Sequence, residues 1–121
     1  MRPVKEPGPD HPITVEPHGR AVRVRMGGQV LAESERALDL REAGYPPVLY
    51  IPREDVDMAA LAPSARKSWC PYKGQASYHA LDTGAGTPDD VAWSYDDPLP
   101  AMRAIAGALA FQADKVTIET V

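Results

Sequence analysis

Proline is unusually frequent in this chain, and together with glycine it limits the chain to short secondary-structure elements joined by many turns. There are thirteen prolines and nine glycines among 121 residues, whereas average usage is roughly 5% proline and 7% glycine. Proline interrupts the hydrogen-bond ladders of helices and of interior strands. The composition therefore argues against a helical bundle. It predicts a compact antiparallel β-rich domain, mainly β or α+β at the margin.

The size and charge of the chain favour one domain and disfavour nucleic-acid or membrane partners. A length of 121 residues provides for one hydrophobic core. The net charge of −4 gives no global basic field, and no apolar run approaches the roughly 20 residues that cross a bilayer. The first residues lack the apolar region of a secretory signal, and one cysteine cannot form an internal disulfide. We therefore expect a cytoplasmic protein.

The N-terminal half shows the two-residue period of strands. Residues 1–12 are rich in proline and are expected to form a flexible arm before a single domain, residues 13–121. A hairpin turn is expected at Gly27 and Gly28. The apolar run 48–51 is typical of a strand buried on both faces. Alternating apolar residues predict further strands at 13–16, 22–26, 30–34 and 37–42. The last three of these strands are expected to follow each other in meander order.

The C-terminal half is expected to add strands and one short helix. Residues 54–61 predict one or two helical turns that end at Pro63. The clearest helix covers 101–106, and Gly107 can supply its left-handed C-terminal cap. A loop is expected over 82–90. Further strands, the last two paired with each other, are expected at 77–81, 91–95, 109–111 and 116–118.

The segment Trp69-Cys70-Pro71-Tyr72-Lys73-Gly74 places a thiol, an amine and aromatic rings around one tight turn. A cation such as Lys73 favours a reactive thiolate, and a nearby histidine can act as its base. The candidate catalytic residues are therefore Cys70, Lys73 and His79. The alternative is that Cys70 is a small buried hydrophobic residue. One cysteine and three scattered histidines show no metal-ligand spacing, so we expect neither a metal nor a cofactor.

Two further groups of residues are candidates for ligand binding. Arg53 follows the apolar run 48–51, and its planar guanidinium suits a carboxylate or phosphate. Seven of the eight aromatic residues are Tyr or Trp, which combine an apolar ring with a polar group and suit pockets and interfaces. A half-polar core is the alternative for this aromatic group. The predicted ligand-binding residues are Arg53, Glu54, Tyr72, Tyr78, Trp93 and Tyr95.

Several segments together resemble a bacterial family catalogued as domain of unknown function 427. The resemblance covers roughly residues 11–119 and is carried by Arg23-Val24-Arg25 with Gly28, Leu40-Arg41-Glu42 to Pro47, Tyr50-Ile51-Pro52-Arg53-Glu54-Asp55-Val56, Cys70-Pro71-Tyr72-Lys73-Gly74 with Ala76-Ser77-Tyr78, Ala92-Trp93-Ser94-Tyr95 with Pro98, and 105–111. It implies a compact β-rich fold with a polar and aromatic pocket. Members often carry an aromatic pair where this chain has Gln112-Ala113, and a shorter turn where it has residues 84–87.

Three functions remain open at the level of sequence. The first is a small-molecule-binding domain, with or without enzymatic activity, whose pocket surrounds the cysteine segment. The second is a non-catalytic interaction module or homodimer that uses the Tyr and Trp surface. The third is a nucleotide-linked enzyme, implied only by a nucleotidyltransferase label sometimes attached to the family. The chain shows no glycine loop for phosphate and no spaced aspartates for two magnesium ions.

Overall fold

The computed structural model describes residues 2–82 and 89–121, and over these residues it contains ten strands and three short 3-10 helices. The 3-10 helices are Arg53–Asp55, Met58–Ala60 and Pro100–Ile105. In chain order from β1 to β10, the strands are Ile13–Pro17, Val22–Met26, Gln29–Ser34, Leu38–Glu42, Val48–Tyr50, Leu61–Cys70, Gly74–Leu81, Asp90–Ser94, Leu109–Phe111 and Thr117–Thr120. The mainly β fold class is confirmed.

The strands form three antiparallel sheets, ordered β1-β4-β5, β10-β2-β3 and β6-β7-β8-β9. Ile51, immediately after β5, exchanges two backbone hydrogen bonds of 2.8 Å with Leu109 at the start of β9. The first sheet is therefore connected edge to edge with the four-stranded sheet. Ala32 and Val56 form a similar bridge from β3 to the chain after β5. Backbone hydrogen bonding thus joins two of the sheets directly and attaches the third to the segment that follows β5.

The interior contains two hydrophobic clusters, and β5 lies between them. Leu49 and Ile51 pack in the first cluster, while Val48 and Tyr50 pack in the second. Alternate residues of this strand therefore face different clusters, which confirms the prediction of a strand buried on both faces. The second cluster is lined by aromatic rings on one side, and the candidate site lies there.

The hairpin between β2 and β3 is confirmed, but the meander is wrong in its third strand. Met26 pairs with Gln29, and Gly27 turns the chain with a φ of +60°. The following strand, β4, pairs with β1 and β5 and not with β3. The Ser34 hydroxyl accepts the backbone N–H of Arg36, a local turn that directs the chain out of the first hairpin.

The strand β6 was missed. The helical turns end at Ala60, before Pro63 as expected, but a strand continues through this proline. Pro63 lies inside β6, at a point where the pairing register with β7 shifts. Proline is tolerated there because β6 is at the edge of its sheet. The strand is largely exposed and rich in Ser, Arg and Lys, so it carries little of the apolar alternation that identifies strands.

The last two strands do not pair with each other as expected. The strand β9 pairs with β8 and β10 pairs with β2, so the two belong to different sheets. A turn over residues 112–115, closed by a hydrogen bond from the Lys115 N–H to the Gln112 carbonyl, separates them. The edge of β2 has backbone groups available to pair with β10. This long-range pairing forms in place of the pairing between the neighbouring segments β9 and β10.

The remaining elements agree with the sequence predictions in position. The expected helical turns at 54–61 are two 3-10 turns, and the C-terminal helix is also a 3-10 helix, with Met102 and Ile105 buried. Gly107 follows it with a φ of +72°. Most of the loop expected at 82–90 lies outside the described residues. Residues of the predicted arm contact the cysteine turn, since the Lys5 N–H donates to the Pro71 carbonyl; the flexibility of the arm stays a prediction.

Candidate ligand-binding pocket

The turn between β6 and β7 fixes the position of Lys73. The Lys73 N–H donates to the Cys70 carbonyl, and the Lys73 carbonyl accepts the N–H of Leu99 at 2.9 Å. Gly74 has a φ of +110°, and a Cβ there would lie 3.4 Å from the Leu99 nitrogen. Only glycine adopts this backbone conformation without strain while allowing so close an approach. The turn therefore directs the lysine inward.

The Lys73 ammonium group is buried and paired. Its Nζ donates to Glu42 Oε1 at 2.5 Å, from the end of β4. It also lies 3.7 Å from Cys70 Sγ and 6.0 Å from the centre of the Tyr95 ring. A buried cation is costly unless it is paired and hydrogen-bonded, so Glu42 is the residue that permits Lys73 to occupy this position.

Glu42 is held from two sides. His11 Nε2 lies 2.7 Å from Glu42 Oε2, and the His11 ring stacks on Tyr72 at 4.1 Å between centroids. Burial alone would raise the pKa of the Glu42 carboxyl, but hydrogen bonds from Lys73 and His11 outweigh burial and lower the pKa below its usual value. Glu42 is therefore ionised at neutral pH.

An open cavity of about 280 Å³ lies beside this ion pair. Its lining combines the two charged groups with aromatic rings and a few aliphatic side chains: Leu40, Glu42, Tyr45, Pro46, Val48, Tyr50, Lys73, Tyr78, Trp93, Tyr95 and Gln112. A concave, largely apolar surface with a small number of polar groups is typical of small-molecule sites.

Two tyrosine hydroxyls at the cavity, those of Tyr50 and Tyr95, are protonated at neutral pH. Burial raises the pKa of Tyr50 to about 12, and burial likewise raises the pKa of Tyr95 far above its ordinary value. The Tyr50 hydroxyl accepts the indole N–H of Trp93 at 3.3 Å. The Tyr78 hydroxyl instead bonds with Ser68 Oγ at 2.9 Å, and Arg66 covers its ring at 4.3 Å.

A second polar network surrounds Ser94, which is fully buried. The Ser94 hydroxyl donates to Asp96 at 2.7 Å, and Arg53 donates to the same carboxylate at 2.8 Å and to the Gly107 carbonyl at 3.0 Å. Because the Ser94 hydrogen is used by Asp96, His79 Nε2 must be the donor in its 3.1 Å contact with Ser94 Oγ. Burial, followed by the charge of Arg53, lowers the pKa of His79.

The structure brings some of the predicted site residues together and separates others. Lys73, Tyr78, Trp93 and Tyr95 line the 280 Å³ cavity. Cys70 contacts Lys73 but does not line that cavity. Tyr72 stacks on His11. His79 belongs to the Ser94 network, whereas Arg53 and Glu54 line a different cavity of about 250 Å³, which shares Tyr50 with the first.

Four polar or aromatic residues of the cavity were not among those selected from the sequence, namely Glu42, Tyr45, Tyr50 and Gln112. Glu42 lies 31 residues before Lys73 in the chain, so no local spacing indicates that they pair. Tyr50 was recognised as part of the aromatic group but was not selected as a binding residue. The one available signal for Glu42 was its place at the end of a predicted strand, where sheets often present functional side chains.

The fold and the cavity define a class of protein, a single mainly β domain with a polar and aromatic pocket beside its second hydrophobic cluster. The chain belongs to the family described as domain of unknown function (DUF427), whose model, named NTP_transf_9, matches residues 14–121. The resemblance seen in the sequence is thus confirmed. A search of curated proteins found no significant match.

Metal-ligand clusters and membrane-spanning helices are both missing from the described residues. Across residues 2–82 and 89–121, no group of three or more His, Cys, Asp or Glu side chains is arranged to hold a metal ion. Within the same part of the chain, no helix has the length and apolar character needed to span a membrane.

Proposed function

We propose that this domain binds a small molecule in the cavity beside Lys73 and Glu42. The observation that carries the proposal is the buried ion pair at the wall of an open, aromatic-lined cavity. A buried ion pair is rarely needed for stability, because well-packed apolar residues of similar volume often stabilise the fold as much or more. A role in positioning a ligand accounts for its place at an accessible cavity.

The aromatic side chains supply the second part of the argument. Tyr78 and Trp93 are directly opposite each other on β7 and β8, and Tyr95 continues the wall on the far side of Lys73. Tyr and Trp offer apolar contact area together with hydrogen-bonding groups. The proposed binding residues are therefore Lys73, Glu42, Tyr78, Trp93 and Tyr95.

A thermal-shift screen of small metabolites tests this function. A ligand that binds only the folded protein must raise Tm. Hits are expected to lose their effect in Lys73→Met and to keep it in Lys67→Met, a matched change at an exposed lysine whose Nζ bonds with Ser77. Hits that stabilise both variants equally bind elsewhere and would contradict the proposal.

Catalysis by Cys70 is a narrower version of the same proposal. The 3.7 Å contact between Lys73 Nζ and Cys70 Sγ favours it. His79 donates to Ser94, so the base for such a reaction would have to be another group, and Glu42 is the titratable side chain already bonded to Lys73. The measurement is the rate of Cys70 alkylation against that of free cysteine.

An interaction module or homodimer is the alternative function. The observation that favours it is Tyr45, which is 66% exposed at the rim of the cavity. Tyrosine is enriched in protein interfaces. Analytical ultracentrifugation at micromolar concentration tests this alternative, together with Trp93 fluorescence measured on dilution. A monomeric mass and an unchanged fluorescence would exclude self-association through the surface at the cavity.

The nucleotide-linked enzyme rests on the name of the family model alone. If ATP, GTP and divalent metals together leave Tm unchanged, the domain does not bind nucleotides and this function is excluded. A bacterial source, a cytoplasmic location and the absence of nucleic-acid partners stay predictions. The net charge of −4, the single cysteine and the family resemblance support them.

A further inference from the structure

Three polar side chains at the cavity make no hydrogen bond within the described residues, namely the exposed Tyr45, the half-buried Gln112 and the buried Tyr95. Tyr95 is the only buried one of the three. Its side chain is only 7% exposed, and no hydrogen bond to it occurs among the residues that the structure describes. No side-chain oxygen or nitrogen in those residues is both fully enclosed and without a partner. The Tyr95 oxygen therefore keeps access to open space, and the 280 Å³ cavity is the space that this residue lines.

The hydroxyls of Tyr95 and Tyr50 can each donate one hydrogen bond. Tyr50 already accepts from the Trp93 indole, so its oxygen is engaged and its hydrogen is available. Burial keeps both phenols protonated, as their raised pKa values indicate. A ligand in this cavity therefore meets two neutral donors, and it satisfies them with an oxygen or nitrogen acceptor.

The charges at the cavity cancel. The Lys73 ammonium is paired with Glu42 at 2.5 Å, and His11 bonds to the other oxygen of that carboxylate. An anionic ligand would be desolvated beside the Glu42 charge, while a cationic one would be desolvated beside Lys73. Either ion would lose hydration without gaining an unpaired counter-charge, which is unfavourable in a partly buried site.

The size and walls of the cavity limit the ligand further. A volume of about 280 Å³ is at the small end of ligand sites, which usually span roughly 300–1,000 Å³. The rings of Tyr78 and Trp93 offer apolar and stacking surface. A molecule with one ring and one polar group matches this volume.

Resting on the proposed pocket function, we propose that the ligand is a small uncharged molecule with a planar apolar body and a carbonyl or amide oxygen, which is held by the hydroxyls of Tyr95 and Tyr50. Lys73 and Glu42 then form a neutral polar wall and do not act as a counter-ion for the ligand. The proposal gives Tyr95 the main part in ligand recognition. Its hydroxyl makes no hydrogen bond within the described part of the chain.

Three probes of the same shape separate the possibilities, namely benzamide, benzoate and benzamidinium, which are neutral, anionic and cationic. The chain has two tryptophans, so Trp69→Phe leaves Trp93 as the only tryptophan and as a reporter of the cavity. Titrations follow Trp93 fluorescence in this background. We expect millimolar binding of benzamide, with benzoate and benzamidinium weaker by about tenfold or more because a charge is buried without a partner.

Tyr95→Phe removes only the proposed donor. It should weaken benzamide binding by about three- to tenfold, the effect of one neutral hydrogen bond, and should leave Tm nearly unchanged because that hydroxyl has no partner in the described structure. Tyr72→Phe is the matched control, since this ring stacks on His11 and does not line the cavity. Benzamide should bind that variant as it binds the parent.

Preference for benzoate or benzamidinium, or unchanged benzamide binding in Tyr95→Phe, overturns the inference and leaves the pocket itself intact. Failure of all three probes at millimolar concentration also overturns it. The metabolite screen then decides separately whether the cavity binds any ligand. The two proposals can therefore fail independently.

Discussion

Removing one partner of the buried Lys73–Glu42 pair should destabilise the domain more than any exposed charge change. The two side chains are only 10% and 16% exposed and their charged atoms lie 2.5 Å apart. Lys73→Met keeps the length of the aliphatic chain and removes the charge. It leaves Glu42 ionised in a partly buried site, with His11 as its remaining partner.

The expected loss follows from the geometry. Breaking a fully buried pair by removing one partner costs about 3–5 kcal/mol. Residual solvent exposure and the bond with His11 reduce this figure, so we expect about 2–3 kcal/mol for Lys73→Met. Glu42→Gln keeps an acceptor for Lys73 and should cost about 1.5–3 kcal/mol, the value of a hydrogen bond to a charged group. For a chain of this size, 2–3 kcal/mol corresponds to a fall in Tm of roughly 6–15 °C.

Urea unfolding of the single and double variants measures these terms. The double variant should be more stable than the sum of the single losses predicts, with a coupling free energy of about 1–2 kcal/mol. Arg23→Met is the control, because its pair with Glu33 is exposed and should contribute no more than about 1 kcal/mol. Additive losses, or a loss for Lys73→Met no larger than for the control, would refute the reasoning.

The pH dependence of the same variants gives a second test. The pKa of Glu42 is lower in the folded protein than its usual value. Its stabilising contribution is therefore complete above the unfolded pKa and is lost as pH falls through the folded pKa. The free energy of unfolding should decline more steeply in acid for the parent protein than for Glu42→Gln. Equal acid slopes would show that this carboxyl is not stabilised by folding.

Three further predictions follow from single residues. Gly74→Ala should cost about 1–2 kcal/mol, because φ is +110° and the added Cβ meets the backbone of Leu99 at 3.4 Å; urea unfolding measures this cost, and a neutral result would contradict the strained turn. Burial lowers the pKa of His79 in the folded protein, so as pH falls below about 6.5 this histidine is protonated in the unfolded chain before it is protonated in the folded one. The free energy of unfolding should therefore fall by at most about 1.4 kcal/mol per pH unit. His79→Gln should remove this pH dependence, and an unchanged slope would show that other groups cause it. If Lys73 activates Cys70 across their 3.7 Å contact, the thiol should be alkylated faster than free cysteine, and its alkylation should be slower in Lys73→Ala. Equal alkylation rates in the parent protein and in Lys73→Ala would identify Cys70 as a packing residue.

The strands that the sequence predicted well are those with one consistently apolar face. In β2, Val22 and Val24 are buried while Arg23 and Arg25 are less so, and this alternation is visible without a structure. By contrast, β6 is an exposed edge strand with a proline inside it. β6 forms because it pairs with β7, and no local sequence pattern in β6 indicates this pairing.

The candidate site divides in the same way. Lys73 and the aromatic residues were identifiable because their residue types and the turn after Cys70 are local features of the sequence. Arg53 and His79 have equally suggestive chemistry, yet they belong to the polar network that joins the buried Ser94 to the exposed Asp96. Which polar side chains share a cavity depends on the way the sheets join. The backbone bridge between Ile51 and Leu109 joins the sheet that carries Glu42 to the sheet that carries Trp93.

The sequence by itself determined that this chain forms short strands and turns, because proline and glycine act on the backbone residue by residue. It also determined the family, since the cysteine turn and the Pro-Arg-Glu-Asp segment are contiguous motifs. The tertiary structure decided that Glu42, 31 residues away, neutralises Lys73, and that the Tyr95 hydroxyl is left without a partner in the described part of the chain. Pairing between distant segments depends on the packing of whole sheets, so residue types and spacing do not reveal it.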